Sequence, residues 1–116
     1  MGVSDRVILG TTEEIKVTSG NNTKIIIARI DTGASKSSID KALAKELGLG
    51  PVIETKVVKS AHGSRERPIV NVNITLCGKT ITEKFTVVDR SHMKYKALIG
   101  RNILEKGFII DPNKQC

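Results

Sequence analysis

The residues with the clearest chemical potential are Asp31, Thr32 and Gly33, which directly follow an apolar run at residues 25–30. A carboxylate next to apolar residues is costly unless it is paired, hydrogen-bonded or neutralised. Gly33 allows a tight turn, and the Thr32 hydroxyl can tie that turn to a neighbour. The tripeptide alone fits an ordinary strand-to-turn boundary as well as a catalytic site, because Asp and Gly are both common in turns.

Catalysis by Asp31 would require a second carboxylate. Hydrolysis of a peptide through an activated water uses two carboxylates about 3 Å apart that share one proton, one acting as base and the other as acid. The sequence contains a single Asp-Thr-Gly turn. A symmetric homodimer would supply the second acid, because a two-fold axis beside Asp31 brings its copy opposite. If the acid is not catalytic, the alternative is a module that binds an extended acidic peptide by strand addition.

Two motifs in this order resemble the retropepsin-like aspartic proteases. The first is Asp31-Thr32-Gly33-Ala34 after a strand, and the second is ALIGRNIL at residues 97–104, after a predicted hairpin. A closer resemblance is to a small family within that group, many of whose members carry the label "ATP-dependent zinc protease". Some members are associated with the ligase that adds glutamates to a ribosomal protein. The stretches that carry this resemblance are RIDTGA at 29–34, ERPIV at 66–70, DRSHM at 89–93 and LIGR at 98–101.

The resemblance implies a mainly β fold: a retropepsin-like closed barrel with a flap hairpin and one or two short helices, formed by residues 1–116 as one domain. It implies a homodimeric aspartic endopeptidase in which Asp31 is the catalytic acid. Thr32 would brace the two active-site turns across the dimer, and Gly33 would allow their close approach. Ala34 stands where many two-domain aspartic proteases have Ser or Thr. The ionised Asp31 then lacks one possible hydrogen bond, which favours activity nearer to neutral pH.

The same resemblance implies a flap, a support for the active-site turn and a dimer joined by the terminal strands. The residues expected to cover the substrate are Ser60, Ala61, His62, Gly63 and Ser64. The residues expected to support the turn from below are Ile99, Gly100 and Arg101. Retroviral members often have an Asp after the alanine, where this chain has Ser35. Arg101 therefore needs another partner, either a main-chain carbonyl or an acid such as Asp89.

Hydrophobic periodicity predicts the elements that position these residues. Strands are expected at residues 6–9, 14–18, 24–30, 52–60, 67–76, 79–88, 97–99 and 107–110. A helix is expected from Ile39 to about Leu47, with Ser38 as its N-cap and Gly48 as its stop. One or two further helical turns are expected at residues 101–106. The two strands around residues 61–64 form a hairpin with a small glycine-containing tip, which is the predicted flap.

The composition favours acidic partners. The formal net charge is +7, from 19 Lys and Arg against 12 Asp and Glu. A basic chain attracts nucleic acid, anionic membrane or acidic peptides, although a solvated basic surface explains the charge equally well. Aromatic residues are only 3% of the chain, so nucleic-acid binding by base stacking is not expected. Together with the family resemblance, the charge suggests a peptide or protein substrate with an acidic or poly-glutamate tail.

The remaining chemistry-bearing residues predict no cofactor and no metal. Cys77 is expected to be a small core residue, and Cys77 and Cys116 form no disulfide framework or metal-ligand pattern. Neither a His-Glu-x-x-His helix nor a Gly-x-x-x-x-Gly-Lys loop occurs. Residues 1–6 contain no apolar signal core, and no apolar run approaches the length of a membrane span. A cytoplasmic protein without membrane contact is therefore expected.

Overall fold

The computed structural model describes residues 6–114, and most of this range is β-strand. In chain order the elements are β1 Val7–Leu9, β2 Thr12–Ser19, β3 Asn22–Ile30, β4 Ser37–Asp40, α1 Lys41–Leu47, β5 Val52–Ser60, β6 Gly63–Leu76, β7 Lys79–Val88, β8 Ala97–Ile99, α2 Arg101–Leu104 and β9 Phe108–Ile110. The predicted mainly β class is confirmed. The expectations for Cys116 and for a leader at the N-terminus concern residues wholly or mostly outside the described range.

Six strands close into a barrel. They follow the order β2-β3-β8-β4-β7-β6, and β6 pairs back onto β2 in antiparallel register. β5 pairs only with the other part of β6, so the β5–β6 hairpin extends from the barrel wall. β1 and β9 form a separate two-stranded parallel sheet, with Ile8 opposite Ile109.

Alternation of apolar and polar residues explains why the strands form a barrel. On β2, Ile15 and Val17 are buried while Glu14 and Lys16 are exposed. Successive strand side chains point to opposite faces, so this alternation places one face inside the barrel. The largest fully buried side chain is Phe85 on β7. Burying such a side chain contributes about 1.5–3 kcal/mol to stability, and the core so formed holds the site described below.

The start of the helix differs from the prediction. Residues 37–40 form β4, which pairs with both β7 and β8, and the helix begins only at Lys41. Its N-cap is Asp40, whose Oδ2 accepts a hydrogen bond from Leu43 N at 3.3 Å. The prediction of Ser38 as the N-cap is wrong, because Ser38 lies within β4 and is paired in the sheet. The predicted stop is correct: Gly48 ends the helix in a left-handed conformation, with φ of 66°.

Cys77 also differs from its predicted place. It is exposed rather than buried, and it lies in the turn between β6 and β7 with φ of 47°. The alternating pattern of β6 buries Leu76, and the turn then directs Cys77 away from the core. In the part of the chain that the structure describes, no helix is long and apolar enough to cross a membrane.

Candidate active site

Asp31 lies where β3 leaves the barrel. Ile30 is the last buried residue of the strand, and the Asp31 amide donates to the Ile99 carbonyl of β8 at 2.9 Å. The Asp31 side chain is half-buried, and its Oδ1 accepts a hydrogen bond from Gly33 N at 2.9 Å. The turn is closed by a bond of 3.2 Å from Ala34 N to Asp31 O. The carboxylate thus accepts a hydrogen bond from the Gly33 amide and is half-exposed at the rim of the core, which explains how an apolar strand can end on an acid.

Arg101 supports this turn through main-chain carbonyls. Its amide donates to Ala34 O at 2.8 Å, and its Nη1 donates to Thr32 O at 2.9 Å. The sequence left two partners open for Arg101, a main-chain carbonyl or an acid such as Asp89. The guanidinium bonds to a main-chain carbonyl. A guanidinium presents several donors in a fixed plane, so one side chain can fix the turn without a carboxylate partner. Arg101 and Ile99 therefore contact the turn from one side.

Two polar residues that sequence reasoning missed complete the support. Ser37 is fully buried; its Oγ accepts from Gly100 N at 2.9 Å and donates to Asn102 Oδ1 at 2.7 Å. Asn102 also donates through Nδ2 to Lys84 O of β7 at 3.0 Å. Asn102 belongs to the motif at residues 97–104, although no role was predicted for it. Ser37 lies in the polar stretch SKSS, and nothing in that stretch indicates that one of its serines is buried. The link joins the Asp31 loop to the barrel wall.

Gly100 is required by a close backbone approach. A Cβ atom built on Gly100 would lie 2.3 Å from the Lys36 carbonyl oxygen and 2.9 Å from that of Ala34. Both atoms are main chain and have no rotamer with which to move away. The segment at Gly100 therefore packs directly against the active-site loop, and any side chain there would push the loop outward.

The expected flap residues lie at the tip of the β5–β6 hairpin, and all are exposed. The Ser60 Oγ accepts from His62 N at 3.3 Å and donates to the Gly63 carbonyl at 3.2 Å, which closes a two-residue turn at Ala61 and His62. Gly63 has φ of 114°, a conformation that favours glycine. Ser64 is the second residue of the return strand β6 and lies opposite Lys59.

A cavity of about 570 Å³ lies between the Asp31 loop and the shaft of the flap. Gly33 and Ala34 line it from the loop, and Lys56, Val58 and Arg67 line it from the flap. The flap tip is not part of this lining: Ser60, His62 and Gly63 line a smaller cavity of about 230 Å³. The structure therefore brings the Asp31 loop and the flap strands to one cavity, whereas the flap tip lines a different cavity.

Arg90 forms part of the cavity wall and is buried, with 7% of its surface exposed. Its Nε donates to Tyr95 O at 3.0 Å, and its Nη1 donates to the Ser38 hydroxyl at 3.4 Å. Burial lowers the pKa of Arg90, as does the charge of Arg29, while the carboxylates of Asp40 and Asp31 oppose that change. The guanidinium nevertheless stays protonated, because arginine does not lose its proton in proteins. The cavity wall therefore carries a fixed positive charge.

The residues do not fit a zinc site. Across residues 6–114, no group of three or more His, Cys, Asp or Glu side chains lies close enough to hold a metal ion. Zinc in proteins needs at least three such ligands in a tetrahedral arrangement. His62 and His92 are both exposed.

Comparison with known proteins places these features in a family. A family model described as "RimB-like: Retropepsin-like aspartic endopeptidase RimB" matches residues 41–116, a range that holds the flap and Gly100-Arg101 and begins after Asp31. A probable alpha-L-glutamate ligase of Desulfotalea psychrophila is 31% identical over 67 residues, which are 57% of this chain. The chain spans only 14% of the length of that relative.

Solved structures show the same fold. Lpg0085 of Legionella pneumophila, a protein of unknown function, has a TM-score of 0.67 at 22% identity and covers 94% of this chain and 95% of its own. A retropepsin-like aspartic protease from Rickettsia conorii has a TM-score of 0.58 at 25% identity, with coverages of 86% and 84%. The EIAV protease in complex with the inhibitor HBY-793 has a TM-score of 0.63 at 22% identity, with coverages of 84% and 88%. The retropepsin-like barrel predicted from the motifs is confirmed.

Proposed function

Since the chain belongs to the RimB-like family of retropepsin-like aspartic endopeptidases, we propose that it is a homodimeric aspartic peptidase with Asp31 as its catalytic acid. The observation that carries the proposal is the setting of Asp31. Its turn is fixed by hydrogen bonds from Gly33 and Arg101, and the next residues of the turn, Gly33 and Ala34, line a cavity that the flap strands also line. Catalytic groups must be held in place before substrate arrives, and rigid support of this kind achieves that.

In the proposed mechanism, Asp31 and its copy in the second chain share one proton across a two-fold axis. The ionised carboxylate accepts a proton from water, and the resulting nucleophile attacks the peptide carbonyl. The protonated carboxyl donates its proton to the carbonyl oxygen as the tetrahedral intermediate forms. The carboxyl that took the proton from water then gives it to the leaving nitrogen, the C–N bond breaks, and the other carboxylate takes a proton from the intermediate as the product carboxyl group forms, which restores the shared proton. Two like charges at about 3 Å cannot both ionise, so the pair holds one acid and one base at the same pH.

The neighbouring residues have roles that follow from their positions. Thr32 is exposed on the turn, and we assign its hydroxyl to a hydrogen bond with the partner chain's turn. Gly33 and Ala34 leave room for the two turns to approach, because neither carries a bulky side chain. The flap residues Ser60, Ala61, His62, Gly63 and Ser64 would close over the peptide and exclude water. The terminal strands would join the two chains.

The proposed substrate is a peptide or protein with an acidic tail, poly-glutamate being one candidate. Support comes from the net charge of +7 and from the likeness to a protein described as a glutamate ligase. No metal or cofactor has a part in the proposed reaction. A cytoplasmic setting, a single domain over residues 1–116 and the absence of nucleic-acid binding stay predictions.

The test is the variant Asp31→Asn. The amide is nearly the same shape but can neither accept a proton from water nor share one with its twin, so cleavage of a glutamate-rich peptide should be abolished. The dimer and the thermal midpoint should be unchanged, as measured by sedimentation and calorimetry. Glu46→Gln, an exposed acid of α1, is the matched control and should cleave normally. Cleavage retained by purified Asp31→Asn protein would refute the proposal.

The second candidate is a non-catalytic module that binds an extended acidic peptide. The flap shaft is a long exposed hairpin, and an exposed strand edge can add a peptide strand by main-chain hydrogen bonds. This candidate needs no paired carboxylates. It predicts that Asp31→Asn binds peptide as the wild type does, that no cleavage occurs with either protein, and that a monomer persists in the presence of peptide.

A further inference from the structure

The inner face of the flap hairpin carries cations directly opposite each other. Lys56 of β5 pairs with Arg67 of β6, and Val58 pairs with Arg65. Like charges in a directly opposed cross-strand pair are destabilising. None of the ion pairs between residues 6 and 114 involves Lys56, Arg65 or Arg67. A folding argument alone gives no reason for this arrangement.

The register shows which way these cations face. Lys56, Val58 and Arg67 all line the cavity of about 570 Å³ that reaches the Asp31 loop. Lys59 is three positions after Lys56, so its side chain leaves the opposite face of the strand. The same hairpin therefore has an inner cation pair and an outer cation, which differ in position but not in charge.

The opposite wall of the cavity is also cationic. The buried guanidinium of Arg90 bonds to the Tyr95 carbonyl and the Ser38 hydroxyl, and neither of these oxygens carries a net charge. Lys36 is a further cation in the lining. Asp89 is the acidic residue there, and its Oδ1 already accepts a hydrogen bond from Ser91 N at 2.9 Å. The side chains that line the cavity thus carry more positive than negative charge, and the carboxylates of Asp40 and Asp31 near Arg90 offset only part of it.

We propose that Lys56 and Arg67 of the flap, with Arg90 of the opposite wall, form a subsite for a carboxylate side chain of the substrate. The subsite would select Glu or Asp at one position near the scissile bond. A guanidinium binds a carboxylate through two parallel hydrogen bonds, which an amide side chain cannot match in charge or in geometry. This inference rests on the proposed function and assigns its substrate preference to particular residues.

The subsite would also couple recognition to closure of the flap. Two opposed cations on the flap and one on the wall repel each other in the empty cavity. A carboxylate between them removes that repulsion and contacts both sides at once. A substrate with an acidic side chain would therefore hold the flap against the active-site loop, whereas its amide counterpart would leave it unattached.

The experiment measures binding in the Asp31→Asn background, so that no cleavage interferes. The probes are a fluorescein-labelled peptide in which four glutamates alternate with alanines, and its glutamine counterpart. We expect the glutamate peptide to bind about tenfold more tightly or better, since hydrogen bonds to charged groups are the stronger ones. The double change Lys56→Gln with Arg67→Gln should remove most of that preference. Lys59→Gln, on the outer face of the same hairpin, is the matched control and should preserve it.

A reversal of charge makes the test sharper. Lys56→Glu with Arg67→Glu should bind a lysine–alanine peptide in preference to the glutamate peptide. The thermal midpoint of every variant is measured; these exposed positions should not lower it, and the double change to glutamine should raise it slightly because it removes the opposed like charges. A single change, Arg67→Gln, is compared with Lys59→Gln because each removes one charge from the hairpin. Equal losses of glutamate preference in these two variants would overturn the subsite, because they would indicate a general charge effect. Equal affinity of the Asp31→Asn protein for the glutamate peptide and for its glutamine counterpart would overturn the subsite as well.

The two proposals fail in distinguishable ways. If the wild type cleaves no peptide but the glutamate preference depends on Lys56 and Arg67, the peptidase proposal fails and the binding subsite stands. If the wild type cleaves glutamate and glutamine peptides at the same kcat/KM, and Asp31→Asn abolishes both reactions, the peptidase proposal stands and the subsite is refuted. A preference carried by the subsite should appear in KM and weaken with salt, because it is electrostatic.

Discussion

Glu13 on β2 is a buried acid away from the candidate active site, with 5% of its surface exposed. Its Oε2 accepts from Gly10 N at 2.7 Å and from Lys114 Nζ at 2.9 Å, and its Oε1 accepts from Cys77 Sγ at 3.5 Å. Burial raises the pKa of Glu13, but these hydrogen bonds and the charge of Lys114 together lower it below its usual value. The carboxylate therefore stays ionised and fastens residue 114 to the barrel.

We predict that Glu13→Gln lowers the free energy of unfolding by about 1–3 kcal/mol at neutral pH, the usual cost of losing buried bonds to a charged group. The folded-state pKa of Glu13 lies below the unfolded one. Its stabilisation is thus complete above the ordinary pKa of glutamate and is lost as the pH falls through the folded value. Denaturant titrations at a series of pH values should show wild type and variant converging in acid.

The control for this prediction is Glu14→Gln. Glu14 is the next residue on β2 and is exposed, so its loss should change stability by less than about 0.5 kcal/mol. A wild-type advantage over Glu13→Gln that stayed constant from neutral to acidic pH would contradict the account. It would mean that shape, and not charge, makes Glu13 stabilising.

At this scale the sequence identified the acid but not its surroundings. Asp31, Gly33 and Arg101 could be named from motifs because their order along the chain is distinctive. Ser37 could not be named in this way, because its burial depends on the pairing of β4 with β7 and on the packing of α2 against β4. Cys77 was placed in the core because cysteine is usually buried, but the direction of a side chain in a turn depends on local backbone angles.

Among the elements, β8 and α2 act together as the support of the active-site loop. The junction between β8 and α2, at Gly100, lies against the main-chain carbonyls of Lys36 and Ala34. Main-chain amides of α2 donate hydrogen bonds to carbonyls of the loop. The loop has no regular hydrogen-bonded ladder of its own over most of its length. Its shape is therefore set by the strand and helix beneath it, and an error there would be transmitted directly to Asp31.

We predict that Gly100→Ala lowers the thermal midpoint and abolishes peptide cleavage. The φ of Gly100 is −101°, which alanine adopts freely, so the effect would come from the clash with main-chain oxygens. Overpacking of this kind costs about 1–3 kcal/mol. Calorimetry and a cleavage assay are the measurements.

Gly20→Ala is the comparison variant. Gly20 has φ of +57° and no atom within 4 Å of a built Cβ, so its cost is conformational, about 1–2 kcal/mol. It should destabilise the protein while leaving the activity of the folded molecules intact. Full activity of folded Gly100→Ala protein would show that the loop does not depend on this contact.

The elements themselves were predicted where they are long. The hairpin strands alternate over many residues, so β5, β6 and β7 could be read from period-two patterning. β4 has four residues and borders a helix, and its apolar residue Ile39 fitted the helical face equally well. Which of the two structures forms depends on pairing with β7 and β8, distant in sequence, and no local pattern contains that information.

At the scale of the whole molecule, the described chain holds one half of the proposed catalytic pair. The β1–β9 sheet is small, and Ile8 on it is 51% exposed. Within residues 6–114 this sheet pairs with no other strand, and the Ile8 carbonyl of β1 accepts a hydrogen bond from Lys114 Nζ at 2.8 Å. A small sheet without a further strand partner and an exposed isoleucine are suited to contact with a second copy, as the expected joining of terminal strands requires.

We predict that mixing subunits will reduce activity in a defined way. If wild-type and Asp31→Asn chains are unfolded together and refolded in equal amounts, random pairing places about half of the wild-type chains in mixed dimers. Mixed dimers have one carboxylate and should be inactive, so the activity per wild-type chain should fall to about half. An active site complete within one chain would show no loss. Mixing with Glu46→Gln protein is the control and should leave the activity of each chain unchanged.

The length of β6 has a consequence for how the flap would open. This one strand contributes both to the barrel wall, through Leu76 and its neighbours, and to the flap, through Gly63 and its neighbours. The flap therefore cannot swing as a separate body; it has to bend along a continuous ribbon. The bend belongs near Pro68, where the side chains change from exposed to buried and the partner strand has its irregular register between Val52 and Glu54. Opening would therefore strain the barrel wall itself, and release of that strain would favour the return of the flap.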